Sequence, residues 1–342
     1  MNFGMFTDFH IRPDMTQAAA FEESFKQVES AEALGIDSVW LAEHHFSPER
    51  SVLASPMVIA SAIAARTRRI RIGLAVQVLP LTNPLRIAEE AATVDHISTG
   101  RFDFGIGRSG LTKYYDGYNV SYAESRGRFL EALSVIRKAW GQESFSHTGE
   151  FFTFPTVAVV PQPYQQPHPP IHVALASSET FTLIGRMGYP IFISANTPVP
   201  QLQERLALYH RARQEAGQTD PAQITLRIPA YVAETAQRAH DEPEASAMHA
   251  IRYGAQQLSE SAASQETLER LQRAANTSYD DLLKQRLLYG TPAAIVDRLH
   301  MYRETLGITG LVLETNYGGR IPYERVVNSL RLLAEKVMPT FK

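Results

Sequence analysis

The sequence predicts an α/β fold: a closed TIM-type (β/α)8 barrel with insertions at about residues 147–170 and 236–289. Three observations carry this. Short runs rich in β-branched and aromatic residues alternate with amphipathic stretches along the whole chain. There are eight such runs, each followed by a helical pattern. Each run is also nearly continuous in apolar residues, as strands buried on both faces of a parallel sheet are. Eight βα units favour closure into a barrel over an open doubly wound sheet. A chain of 342 residues exceeds one small domain but fits one barrel, so 1–342 is expected to be a single domain.

Taken in order, Phe3–Phe9 is the first predicted strand. Thr16 is placed to cap a helix whose Phe21, Phe25 and Val28 share one face, with Gly35 just past its end. Strand two is predicted over Asp37–Ala42 (DSVWLA) and helix two over Pro56–Ala65. Ile70–Val78 (IRIGLAVQV) is strand three, followed by a helix over Pro84–Ile97. Arg101–Gly107 (RFDFGIG) is strand four, with a helix over Ala123–Trp140. His147–Pro170 interrupts the rhythm, and its proline-rich latter part reads as an extended excursion. The alternation resumes with Ile171–Ala176, a helix over Glu179–Met187, Ile191–Ser194, a helix over Gln201–Glu215 and Ile224–Ala233. Residues 236–289 are rich in Ala, Gln and Glu and read as a helical insertion. A helix over Pro292–Leu306, a strand Gly310–Glu314 and a helix Tyr323–Val337 close the series.

Composition excludes several functions. Hydrophobic residues make up 44% and charged residues 20%, enough for a sizeable core. A net charge of −3 offers no basic footprint for nucleic acid and no polybasic membrane patch. The absence of cysteine excludes disulfides, thiolate catalysis and thiolate metal sites. The opening MNFGMFTDFH has no basic n-region or cleavage-like site, and no apolar run approaches the ~20 residues of a membrane span. A cytoplasmic protein is expected.

In a barrel of this kind the reactive groups sit at the C-terminal ends of the strands. Four segments fall there: Glu43-His44-His45, Leu74-Ala75-Val76, Gly105–Gly110 (GIGRSG) and Ser177–Thr180 (SSET). The glycine pattern spells G-x-G-x-x-G, but no helix opens directly on it, so a dinucleotide fingerprint is not expected. Its glycines instead allow a ligand close to the backbone, with Arg108 beside it. Ser177 is placed to cap a helix, either as a plain cap or as a phosphate-binding helix start to which Arg108 and Arg126 bring charge. For His44 and His45 three readings stand. Adjacent strand residues face opposite ways, which weakens a shared metal site. A satisfied polar pair is the second reading. One imidazole in a ligand pocket with its neighbour anchored elsewhere accounts best for the whole set.

These motifs resemble those of the bacterial luciferase superfamily, the flavin-dependent luciferase-like monooxygenases, and most closely the luciferase subunits. The resemblance is carried by VWLAEHHF, IGLAVQVLPLTNPLRIAEE, GRFDFGIGRSG, ESRGRFLEAL, YGTPAAIVDRL and the terminal VMPTFK. It implies a barrel in which His44 and His45 match the active-site histidine and its neighbour. Arg108 and Arg126 match arginines at the flavin phosphate, and Ser177 and Thr180 match hydroxyl residues there. Ala75-Val76 matches a non-prolyl cis peptide against the isoalloxazine ring. Gly107 stands where the catalytic subunit has cysteine, and Ala176 replaces an acid before the phosphate-site serine. The segment before Tyr289 is short, so the long active-site loop is expected to be largely absent and efficient light emission is not expected. The resemblance further implies reduced FMN, a separate flavin reductase, O₂, a C4a-hydroperoxyflavin and an apolar organic substrate such as a long-chain aldehyde. No metal is implied, and a homodimer is expected. A non-catalytic flavin-binding protein is the alternative.

Overall fold

In the computed structural model the described residues are 1–175, 177–259 and 276–342. Eight parallel strands close a barrel: β1 (Asn2–Thr7), β2 (Ser38–Leu41), β3 (Arg71–Leu74), β5 (Phe102–Gly107), β8 (Ile171–Ala174), β9 (Ile191–Ser194), β10 (Ile224–Val232) and β12 (Gly310–Glu314). Closure runs through the β9–β10 pairing, with Ile191 opposite Ile224, and through β1, where Gly4 lies beside both Ser38 and Val312. Alternate strand side chains meet inside the barrel and under the helices, so strand burial is almost complete, as in SVWL of β2 and GLVLE of β12.

The helices start where the chain supplies their free amides with partners. Thr16 Oγ1 accepts from Ala19 N to open α1 (Gln17–Ala33), and Gly35 follows its end at φ +80°. Asn83 accepts from Leu85 N and Arg86 N, with Pro84 as first residue of α3 (Pro84–Ser98). Between them lies α2 (Pro56–Arg66), and α5 (Ser125–Gly141) follows β5. Further round the barrel come α6 (Ser178–Met187) and α7 (Val199–Glu215). The last helices are α10 (Pro292–Leu306) and α11 (Tyr323–Leu332).

The departures from expectation have local causes. The third predicted strand ends at Leu74, the Ala75–Val76 peptide bond is cis, and the chain resumes as β4 (Gln77–Val78) alongside β5. Where no helix was expected after the glycines, Thr112–Gly117 forms a short helix, α4, which buries Tyr114 and Tyr115. Six residues are too few to display a helical period. The 147–170 excursion is not purely extended. Phe145–Thr148 and Thr153–Val157 form an antiparallel hairpin, β6 and β7, before two cis prolyl bonds at Pro161 and Pro167. The later insertion contains α8 (Ala236–Ser259), α9 (Tyr279–Gln285) and a strand the sequence did not suggest, β11 (Leu288–Gly290), parallel to β10. Residues 260–275 of that insertion lie outside the described residues. Among the described residues, no helix is long and apolar enough to cross a membrane.

Candidate active site

A cavity of about 390 Å³ opens at the C-terminal mouth of the barrel, lined among others by His44, Ala75, Val76, Gly107, Arg108 and Thr180. Beside it lies an outer chamber of about 550 Å³, roofed by α8. The two share His44, Ser109, Gly110, Ser194 and Arg227 as a common wall.

His44 follows β2, and its backbone N–H donates to Leu53 O at 2.9 Å, which fixes the loop. Its Nε2 lies 2.9 Å from Asp8 Oδ1 and its Nδ1 3.0 Å from the Tyr114 hydroxyl. A carboxylate accepts only, so Nε2 carries the proton and Nδ1 accepts from Tyr114. Asp8 is fully buried at the end of β1, and its Oδ2 accepts from Arg50 Nη2 at 2.9 Å. Burial alone would raise the Asp8 carboxyl, but Arg50, His44 and His10 hold it well below the carboxylate range. Burial and the nearby guanidinium groups of Arg50 and Arg227 outweigh Asp8 and push His44 down to about 4. His44 is therefore neutral at pH 7, not poised near neutrality as an unperturbed imidazole would be.

His45 takes a different position from the catalytic one expected of it. It lines neither chamber. Its Nε2 lies 2.8 Å from Glu43 Oε1 and its Nδ1 3.2 Å from the Tyr118 hydroxyl. The other Glu43 oxygen accepts from Gln77 Nε2 at 2.7 Å and Val78 N at 2.9 Å. His45 thus orients Glu43, and Glu43 anchors the segment that follows the cis bond. Both histidines lie in the loop beyond β2, where these bonds hold His45 on Glu43 and Tyr118 while His44 lines the cavity.

Of the remaining predicted residues, Ala75, Val76, Arg108 and Thr180 line the inner cavity, while Arg126 and Ser177 adjoin it through Glu179 and Thr180. Arg126 Nη1 pairs with Glu179 Oε1 at 2.6 Å, and Arg108 Nη1 reaches Ser125 Oγ at 3.4 Å. Hydrogen bonding and charge from Arg126, with a further contribution from Arg108, lower the Glu179 carboxyl, so both arginines act on the start of α6. Ser177 is the residue before α6, but it makes no side-chain cap bond. Its hydroxyl instead lies 2.5 Å from Thr180 Oγ1, which donates to Ser177 O at 2.8 Å. Ala176 lies outside the described residues. Two guanidinium groups, two hydroxyls and the free amides of a helix start form a donor set suited to a phosphate monoester. The Ala75–Val76 wall of the cavity is closely packed against Gly107. A Cβ on Gly107 would lie 2.6 Å from Val76 Cγ2, so only glycine leaves Val76 in place beside the Ala75–Val76 turn. These residues fit a flavin mononucleotide.

Sequence reasoning missed Asp8, Arg50, Tyr114 and Arg227. Asp8 was legible in principle: it directly follows β1, at the strand end where barrel chemistry collects. The other three come from a loop, a six-residue helix and mid-strand, where no spacing marks them. Among the described residues, no group of three or more His, Asp or Glu side chains is disposed to hold a metal ion.

The fold is a closed parallel α/β barrel with a half-buried histidine and a set of phosphate-suited donors at its mouth. The luciferase-like monooxygenase family model matches residues 1–309, and the chain belongs to that family. It is similar to the oxygenase component of flavin-dependent trigonelline monooxygenase from Acinetobacter baylyi, 26% identical over all of this chain and 96% of that one. It is also similar to the alkanal monooxygenase alpha chain of Photorhabdus luminescens, 30% identical over 64% of this chain and 60% of that one. Matches to some other curated relatives span about half of their length. The crystal structure of the monooxygenase RslO1 from Streptomyces bottropensis superposes with a TM-score of 0.85, 29% identity and full coverage of both chains.

Proposed function

We propose that the protein is the oxygenase of a two-component system, in which a separate reductase supplies reduced FMN and this chain uses it with O₂ to oxidise a small organic molecule. Arg108, Arg126, Ser177 and Thr180 would hold the phosphate, displacing Glu179 from Arg126. The Ala75–Val76 backbone, kept in place by Glu43 and His45, would support the ring. When bound, the flavin supplies the electrons that activate dioxygen. In balance, reduced flavin, O₂ and substrate give oxidised flavin, the oxygenated product and water. The protein excludes bulk water from the cavity and holds a proton at His44 Nε2. A neutral His44, tied to Asp8 and Tyr114, orients the Tyr114 hydroxyl and relays hydrogen bonds; it is not an imidazolium acid at pH 7.

The observation that carries this reading is that His44, Arg108 and Thr180 line one cavity at the barrel mouth. Association as a homodimer belongs to the proposal through the family resemblance. The test supplies photoreduced FMN and air-saturated buffer with candidate substrates, and follows O₂ uptake and product mass. Substrate-dependent uptake with a mass gain of one oxygen atom is expected. Absence of FMN binding at millimolar concentration in either redox form overturns the proposal.

A further inference from the structure

Two neighbouring tyrosines on the short helix α4 serve different parts of the inner cavity. Tyr114 and Tyr115 are both fully buried. Successive helical residues point about 100° apart, so one buried turn can reach two groups. Tyr114 meets His44 Nδ1 at 3.0 Å. Tyr115 instead reaches Arg108: its hydroxyl donates to the Arg108 backbone carbonyl. Its ring is held edge-on by Tyr122, with centroids 5.0 Å apart and planes at 89°. Tyr122 and Arg108 both line the inner cavity.

Arg108 depends on support of this kind for a local reason. The β5 ladder ends at Gly107, so Arg108 is the first residue outside the sheet. Ser109 follows at φ +58°, a left-handed conformation that residues other than glycine adopt infrequently. A Cβ built on Gly110 would meet nothing within 4 Å, so no neighbour packs against the turn there. Inside the turn, Leu111 N donates to Ser109 Oγ at 3.2 Å. From outside, Tyr115 holds the Arg108 carbonyl, and the buried Ser125 Oγ accepts from Arg108 Nη1 at 3.4 Å. The Tyr115 hydroxyl also interacts with Ser125 and with the Arg108 guanidinium. Burial, with Tyr122 adding to it, raises that hydroxyl above its ordinary value, so it stays protonated and remains a donor. Two hydroxyls thus act on one arginine, one at its main chain and one at its side chain.

We propose that Tyr115, together with Ser125, is a positioning residue for the flavin phosphate, acting by holding Arg108 at the cavity wall. This deepens the flavin reading and rests on it. A guanidinium recognises phosphate through directed N–H bonds, so its affinity depends on aim as well as on charge. Tyr115 sets the aim at the main chain, where a small rotation would swing the whole side chain. Adjacent residues of α4 therefore carry two duties, His44 through Tyr114 and Arg108 through Tyr115.

The test is a double-mutant cycle on the full chain, read as FMN and riboflavin affinity by fluorescence titration. Tyr115→Phe keeps the ring and removes only the hydroxyl. It should weaken FMN about three- to tenfold, the scale of one hydrogen bond, and leave riboflavin unchanged. In an Arg108→Ala background the same change should have no further effect, since the group it acts through is gone. Ser125→Ala should weaken FMN about two- to threefold alone and likewise have no effect in that background. Thermal unfolding checks that each variant folds, and the Ser125 arm carries the cycle if Tyr115→Phe does not. Equal losses for FMN and riboflavin, the same loss with and without Arg108, or no loss at all overturn the proposal. A parent chain that binds neither flavin sinks the flavin reading itself, whereas FMN binding with an additive cycle sinks the positioning role alone.

Discussion

His44 donates its Nε2–H to Asp8 across 2.9 Å, and Asp8 in turn accepts from Arg50, so one fully buried carboxylate serves an imidazole and a guanidinium together. Removing its charge leaves Arg50 uncompensated. Asp8→Asn is expected to cost about 3–5 kcal/mol, the usual penalty for halving a buried pair. Urea unfolding at pH 7 measures it. An Asn variant as stable as the parent would show that Arg50 finds another partner.

His44 also sets a pH dependence. Its native pKa of about 4 lies below the ordinary 6.5, so in acid the unfolded chain takes up a proton that the native state refuses. The stability it contributes is fully present above pH 6.5 and is lost as pH falls from there towards 4. Asp8, held below the ordinary 3.8, adds a further loss at still lower pH. Unfolding free energy measured from pH 8 to 4 should decline below 6.5, and His44→Gln should flatten that decline.

Turnover follows from the same residue. His44→Ala should cut turnover about 10²–10⁴-fold, the span of proton-handling groups, while FMN affinity is retained. Because His44 stays neutral down to about 4, the kcat/KM profile should show no acid-side break near 6.5 attributable to it. Such a break, abolished by the alanine change, would mean that the bound flavin restores a near-neutral imidazole.

The anion cup predicts a pair of opposed effects. Arg126→Ala removes a charged donor and should weaken FMN by about 1.5–3 kcal/mol, with riboflavin unaffected. Glu179→Gln releases Arg126 from its 2.6 Å ion pair and should tighten FMN. Fluorescence titration with both flavins checks this. Equal losses for FMN and riboflavin would move the phosphate away from Arg126.

Gly107 is predicted to be a steric requirement. Its substitution by alanine places a Cβ 2.6 Å from Val76 Cγ2, and Val76 must then shift. FMN affinity should fall about tenfold, or 1.4 kcal/mol, with a smaller change in melting temperature. A variant that binds FMN normally would show that the ring does not lean on Val76.

The barrel was legible because burial on both faces writes itself into continuous apolar runs, such as Ser38–Leu41 and Gly310–Glu314. The cap at Thr16 and the starts at Pro84 and Pro292 were legible for similarly local reasons. Arg108, Arg126, Ser177 and Thr180 were expected at one phosphate site through motif and strand-end logic; Arg108 and Thr180 line the cavity, Ser177 bonds Thr180, and Arg126 pairs with Glu179 beside them. The helix Thr112–Gly117 was not expected, although its Tyr114 is what holds His44 Nδ1.

Periodicity and strand-end position alone specified the barrel, the mouth and the histidine pair. That His44 lines the cavity with a depressed pKa follows from neighbours that only tertiary structure supplies. Asp8 precedes His44 by 36 residues and Tyr114 follows it by 70, and barrel closure is what gathers them. The charge of an imidazole depends on those distant neighbours and on exclusion of water, neither of which leaves a trace in local sequence.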